Sequence, residues 1–565
     1  MLNRIAWTAS VALIAAMAQA SDAQTRQTTV ITIERIQPGR WRATYSFPNP
    51  VTSLRFVRGA ANHRERVWTI VTPGYRWGSA DDRPLLQLDE GTRPESTLML
   101  EFPEFTDPLP KEYELFQPFT DGAVALYTGH FYATPTGPTY GDSMPPLQTI
   151  RLIPPPGRHT VVRGRVTSGT VTFTDTIGDG TYIYVGTAQP IETPHLIAVV
   201  DPGMPDWLRH MFEQRLPELF AAYTTHFGAS LPWKPVVLYS FHDTPASGYS
   251  SGGGTLTGFI NMTLTGRDWR TSSPVALVQA FYLLAHESAH LWNGQLVESE
   301  GGPGSWMHEG SADALANEML LAFGMIDRAE WRRRRENAIN QCAAQVEKVS
   351  VHMAAQRGAF RAYYDCGFVL ALWTEAAIRH HAPDANLFTF WSDLVGAALG
   401  NGRRYDERLY FGVMRDAGVP DSVTDGMRAF LKATSIDVAI HGLASLGLNI
   451  GPGQGTPPTG VQQTIARQAF AHVMGAACGR ISFNWGNPIV TVALPECPAF
   501  SRALHVYAIE NFRLADQAVE LYDAVVARCA VGDTVRVQGQ DGATLASFPC
   551  RQALEPRPMW YELRN

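Results

Sequence analysis

The sequence predicts an α+β protein of several domains: a β-sandwich-like amino-terminal domain, a mostly helical middle and a small mixed α/β domain at the end. Three observations predict it. From Thr28 to about Leu196, short runs such as Thr29-Val30-Ile31-Thr32-Ile33 and Thr97-Leu98-Met99-Leu100-Glu101-Phe102 alternate apolar and polar residues between Pro and Gly breaks. From Pro274 to about Leu446, apolar residues recur mainly at helical spacing. Beyond that lie a helix-like stretch, Asp516 to Arg528, and a strand-turn-strand signal in Thr534 to Leu545 centred on Asp541-Gly542.

A chain of 565 residues, 45% of them hydrophobic, has room for two or three such domains, each with its own core. The expected boundaries are 1–20 for a signal peptide, 25–196 for the β-rich domain, 197–450 for the helical domain, 451–460 for a Gly/Pro linker and 461–565 for the last domain.

The leader expectation rests on Arg4, the apolar stretch Val11 to Met17 and the small-residue ending Ala18-Gln19-Ala20. The apolar run is short for a bilayer span and soon meets Ser21 and Asp22. Export to a periplasmic or extracellular compartment is therefore expected, with no span in the mature chain. Six cysteines in an exported chain favour disulfides, and sequence proximity pairs Cys342 with Cys366, Cys478 with Cys497 and Cys529 with Cys550.

A net charge of -7 argues against a nucleic-acid partner, which demands concentrated basic surface. The run Arg332 to Arg335 is expected to be a solvated helix face.

Chemistry concentrates in His286-Glu287-Ser288-Ala289-His290. Histidines four apart share one helical face, so both imidazoles reach one ion. Glu287, about 100° around the helix, reaches a water beside that ion, which is the position of a general base. Glu309 follows a Gly301-Gly302-Pro303-Gly304 connection on a second helix-like stretch, Trp306 to Leu320. Two His and one Glu hold a single zinc while leaving a fourth position open, a catalytic pattern. Asp313, one turn beyond Glu309, is placed to fix the tautomer of a ligand histidine, or else is an ordinary surface acid. His308 is not expected to be a ligand. Tyr364 is the candidate donor to the oxyanion formed in carbonyl hydrolysis, with Tyr363 as its rival.

His286-Glu287-x-x-His290, eighteen intervening residues, then Glu309-Gly310 resembles the gluzincin peptidases of the aminopeptidase N kind, and Tyr364-x-x-Gly367 resembles their downstream tyrosine motif. Trp292-Asn293 and a tail similar to the second half of a PDZ domain, around His505 to Phe512 and Gly532 to Val535, resemble the glycyl aminopeptidase family, metallopeptidase family sixty-one. The resemblance implies a thermolysin-like catalytic domain, one zinc ion, peptide or protein substrates and the phenol of Tyr364 stabilising the tetrahedral intermediate. Those aminopeptidases carry a Gly-rich motif with a glutamate that pairs with the substrate amine. The matching stretch here, Gly252-Gly253-Gly254-Thr255-Leu256-Thr257-Gly258, has no acid. The glycines Gly252, Gly253 and Gly254 are expected to line the substrate backbone as an edge strand or to form a loop. Aminopeptidase action, endopeptidase action and a zinc-containing peptide-binding protein without turnover all remain open at this point.

Overall fold

The structure is a computed structural model describing residues 28–58, 63–80, 83–107, 109, 112–137, 140, 147–175, 178–245, 248–478, 482–485, 490–493, 504–550, 552–554, 557 and 559–564. The expected leader and the Cys478–Cys497 pairing lie outside the described residues. The architecture is mixed α+β, in two compact units: one of residues 1–217, 233–244 and 250–265, the other of residues 218–232, 245–249 and 266–565.

In the first unit, strand Thr28–Gln37 lies parallel to Leu147–Ile153 and antiparallel to Arg40–Val51, within a six-stranded sheet. The two-residue period puts Ile31, Ile33, Ala43, Tyr45, Leu98 and Leu100 on one buried face. Against that face pack Leu54, Phe56 and Leu86 of a four-stranded sheet and Phe116 and Leu126 of a five-stranded one, in a single core. A further mixed sheet runs in the order Ile191–Glu192, Ile197–Val200, Val236–His242, Phe259–Thr265, Ser250–Leu256. Its edge strand is the Gly-rich one, with Gly252, Gly253 and Gly254 paired antiparallel to Thr263, Met262 and Asn261.

The second unit is built on helices. Ser273 caps the helix Pro274–His290, its hydroxyl accepting from the Ala276 amide at 3.1 Å, and Pro274 takes the first helical position, where no amide hydrogen is needed. The helices Ser305–Ala322 and Arg361–His381 cross with backbone against backbone. A Cβ at Gly310 would sit 2.1 Å from the Gly367 carbonyl carbon, and one at Gly367 would sit 2.5 Å from the Trp306 carbonyl oxygen.

The arginine run departs from the expectation of a solvated face. Arg335 reaches Glu318 at 2.7 Å and Glu375 at 2.8 Å and lies over the Trp331 ring, and Arg334 lies over the Tyr282 ring, because a helix packed on its neighbours turns part of any run of four residues inward. On the same helix, Arg328–Val346, the Asn340 side chain donates to the Tyr561 carbonyl and accepts from the Tyr561 amide, both at 2.8 Å, and Glu336 accepts from the Leu563 amide. Strand Tyr561–Leu563 pairs in turn with Ile450–Pro452, so the segment first read as a linker starts inside a strand; Gly453–Pro458 carries no helix or strand before the helix Thr459–Cys478.

The tail has its own apolar core, with Val461, Ile465, Leu521, Val525, Val535 and Val537 among its members. Cys342–Cys366 and Cys529–Cys550 are disulfides. Among the described residues no helix is long and apolar enough to cross a membrane.

Replacing Gly367 by Ala is expected to cost about 3 kcal/mol, since the atoms in the way are backbone and cannot rotate aside. Urea unfolding of the two proteins measures it; a change under about 0.5 kcal/mol would show that the crossing is not tight.

Candidate metal centre

Helices Pro274–His290 and Ser305–Ala322 run antiparallel and face each other rung by rung. His290 Nε2 lies 3.3 Å and His286 Nε2 3.6 Å from Glu309 Oε2, and the two imidazole nitrogens are 3.0 Å apart. One turn on, His286 Nδ1 makes a close, bent contact of 2.8 Å with Asp313 Oδ1, which also accepts from the Tyr282 hydroxyl at 2.6 Å. The four-residue spacing of Tyr282, His286 and His290 meets the four-residue spacing of Glu309 and Asp313.

The outer contacts fix the tautomers. The Asn293 amide nitrogen donates to the His308 carbonyl at 3.0 Å, which turns its oxygen toward His290 Nδ1 at 3.1 Å and requires a proton on that nitrogen. Asp313 does the same for His286. When both rings are neutral, their Nε2 lone pairs therefore aim at one point together with Glu309 Oε2, a buried atom that accepts no hydrogen bond among the described residues. Three converging lone pairs repel one another unless a positive charge sits between them. A bare protein meets that demand with a proton: burial opposes charge on His286, but Asp313 and Glu309 outweigh it and push its pKa up to about 10. Burial likewise opposes the charge on Glu309, and the two histidines overcome it and hold the carboxyl well below its ordinary range. A divalent cation meets the same demand, and the donor set of two imidazoles and one carboxylate suits zinc.

The remaining residues singled out in the sequence fall into place around this point. Glu287 is buried beside His286, and its charge acts on both His286 and Tyr364. The Tyr364 ring lies nearly parallel to that of His286, centroids 6.0 Å apart. Burial first, then the carboxylate of Glu309, raises the pKa of its phenol, so the hydroxyl stays protonated and able to donate. Tyr363, its rival, is engaged elsewhere: its hydroxyl accepts from the Ala355 amide at 3.2 Å. His308 contacts Glu309 through the other oxygen, and burial, reinforced by His290, lowers its pKa to about 4. It is not part of the converging set.

Gly252, Gly253 and Gly254 belong to the first unit and are not among the residues gathered here. None has a positive φ, and a Cβ at Gly252 would meet nothing within 4 Å among the described residues, so at Gly252 neither backbone geometry nor packing requires glycine.

Sequence reasoning missed the role of Asn293. The signal was present as its spacing of three from His290, and the turn Leu291–Leu296, wound more loosely than an α-helix, carries it. Tyr282, one turn before His286, was equally findable from its spacing. Arg361, whose guanidinium pairs with Asp365 and lies 5.7 Å from the Tyr364 ring centroid, left no signal.

Together these sheets and helices define a fold of the aminopeptidase N class. The structure is similar to that of an aminopeptidase N family protein from Idiomarina loihiensis, with a TM-score of 0.61 at 13% identity over 95% of this chain and 96% of that one. Its likeness to an M1 zinc metallopeptidase from Deinococcus radiodurans is lower, a TM-score of 0.40 at 16% identity over 72% of this chain and 94% of that one. No family profile and no curated protein sequence matches the chain.

Replacing Asp313 by Asn, or Asn293 by Ala, is expected to weaken zinc binding by about 10- to 100-fold, because the ring each one orients becomes free to take the wrong tautomer. Competition against a chelator of known affinity reads this directly; unchanged affinity in both variants would mean that neither residue holds a ligand in place.

Proposed function

We propose that this chain is a zinc metallopeptidase of the gluzincin kind, with His286, His290 and Glu309 as ligands, Glu287 as general base and Tyr364 as oxyanion donor. The observation that carries the reading is the convergence of three lone pairs on one point flanked by a second carboxylate and a protonated phenol. His286, His290 and Glu309 would hold a zinc ion, which when bound would supply a water of pKa about 7 and polarise a peptide carbonyl. Glu287 takes the proton of the attacking water and passes it to the leaving amine. The Tyr364 hydroxyl donates to the oxygen that gains charge as the carbonyl carbon becomes tetrahedral. Asp313 and Asn293 hold the two rings so that neither must reorganise during the reaction.

Aminopeptidase action leads, by likeness to aminopeptidase N. Endopeptidase action is the second reading, favoured by one observation: the edge strand Ser250–Leu256 has no carboxylate to meet a free amine. The two disulfides suit an exported protein in an oxidising compartment. The tail, in which helix Ala518–Ala530 accompanies the hairpin Thr534–Gln538 and Thr544–Pro549, is read as PDZ-like.

Glu287→Gln is expected to lower turnover at least about 100-fold while zinc content stays at that of the parent. Loss of the metal in this variant would remove Glu287 from the role of base. Tyr364→Phe is expected to lower kcat by about 100- to 1,000-fold with KM little changed; equal loss through KM alone would make Tyr364 a binding residue. Mass-spectrometric analysis of a peptide library with free and with acetylated amino termini separates the readings. Loss of single terminal residues from free peptides marks an aminopeptidase, internal cuts in both pools mark an endopeptidase, and no cleavage by zinc-loaded protein would overturn the proposal.

A further inference from the structure

The crossing of Gly310 and Gly367 fixes the backbone that carries Tyr364, but two torsions of its side chain stay open, and a phenol that must meet a forming charge has to be held in one setting. Two groups face the ring. The His286 imidazole lies nearly parallel to it, centroids 6.0 Å apart, and the Arg361 guanidinium sits over it, 5.7 Å from the centroid, within the reach of a cation on an aromatic face. Spacing explains the second contact, since residues 361, 364 and 365 stand three and four apart and share one side of the helix Arg361–His381.

Arg361 is badly placed for the helix itself. It is the first helical residue, no acid stands in the first turn, and Phe360 ahead of it offers no side-chain cap, so a positive charge there opposes the helix dipole. Its partner Asp365 lies four residues toward the carboxyl end, the reverse of the order that favours such pairs. The Arg361 side chain is also 66% exposed, where an ion pair adds little to folding. Yet Asp365 is buried and grips Arg361 with both oxygens, Oδ2 accepting from Nε and Oδ1 facing Nη2, each at 3.1 Å. A two-point grip fixes the plane of a guanidinium as a single contact cannot. A residue set against local preference and then held in one orientation is what a functional demand on that orientation produces.

We propose that Arg361, locked by Asp365, is a positioning residue that sets the angle of the Tyr364 ring and so keeps the phenol aimed at the reaction centre. The proposal rests on the peptidase reading above and gives the exposed guanidinium no contact with substrate.

Two readouts on the full-length, zinc-loaded protein test it, one with turnover and one without. Arg361→Met, which keeps the length of the side chain and removes its charge, is expected to lower kcat about tenfold with KM unchanged. In a Tyr364→Phe background the same change is expected to cost nothing further, because a residue that acts through the phenol has nothing to act on there. An equal loss in both backgrounds, a loss carried by KM, or no loss overturns the proposal. The second readout is the fluorine NMR spectrum of protein labelled with fluorotyrosine, in which the Tyr364 line is the one absent from Tyr364→Phe. In Arg361→Met and in Asp365→Asn that line is expected to broaden or split as the ring samples more than one setting, while zinc content, circular dichroism and the urea midpoint stay as in the parent. A line that stays single and sharp in both variants overturns the proposal even where turnover falls. If the line responds but the parent protein cleaves no peptide, the peptidase reading fails and the positioning role stands.

Discussion

The arrangement depends on one close approach, that of Gly310 to Gly367. Each is the only residue type that lets two helical backbones touch, and each stands near a residue of the proposed site: Gly310 follows Glu309, and Gly367 lies three residues after Tyr364. Where side chains normally separate helices by 8–10 Å, their absence brings the axes nearer. The phenol is thereby delivered to the carboxylate by main chain rather than by flexible side chains. The disulfide Cys342–Cys366 ties this helix to Arg328–Val346, and Asn340 and Glu336 tie that one to the strand Tyr561–Leu563. Rigidity reaches the site through a succession of such fixed contacts.

The second organising fact is electrostatic. Asp313 and Asn293 commit both ring protons outward, and the inward lone pairs, with Glu309, then leave a point that only positive charge can occupy. The two imidazoles alone do not make that demand; it comes from the groups that fix their protons outward and from Glu309. Tyr282 adds to it by donating to Asp313 Oδ1, the same oxygen that faces His286.

Much of this was legible in the sequence, for particular reasons. The shared face of His286 and His290 was readable because helical geometry converts spacing into direction, whereas Glu309 and Tyr364 were picked out by their sequence context and by a resemblance; the alternation in Thr28–Gln37 was readable because a strand has a fixed period of two. Asn293 was overlooked although its spacing pointed at His290. Arg335 was misread because composition records charge and not which residue of a run faces inward. The antiparallel pairing of Ile450–Pro452 with Tyr561–Leu563 was invisible, since partners more than a hundred residues apart leave no local periodicity.

The proton that His286 keeps when no metal is present makes it an occupant in its own right, and it competes. Its pKa, pushed up to about 10, lies above neutrality, so a cation entering the site must evict that proton before it can use the lone pair. Acid and metal are therefore rivals for one position. Rising pH favours a cation at that position and falling pH favours the proton.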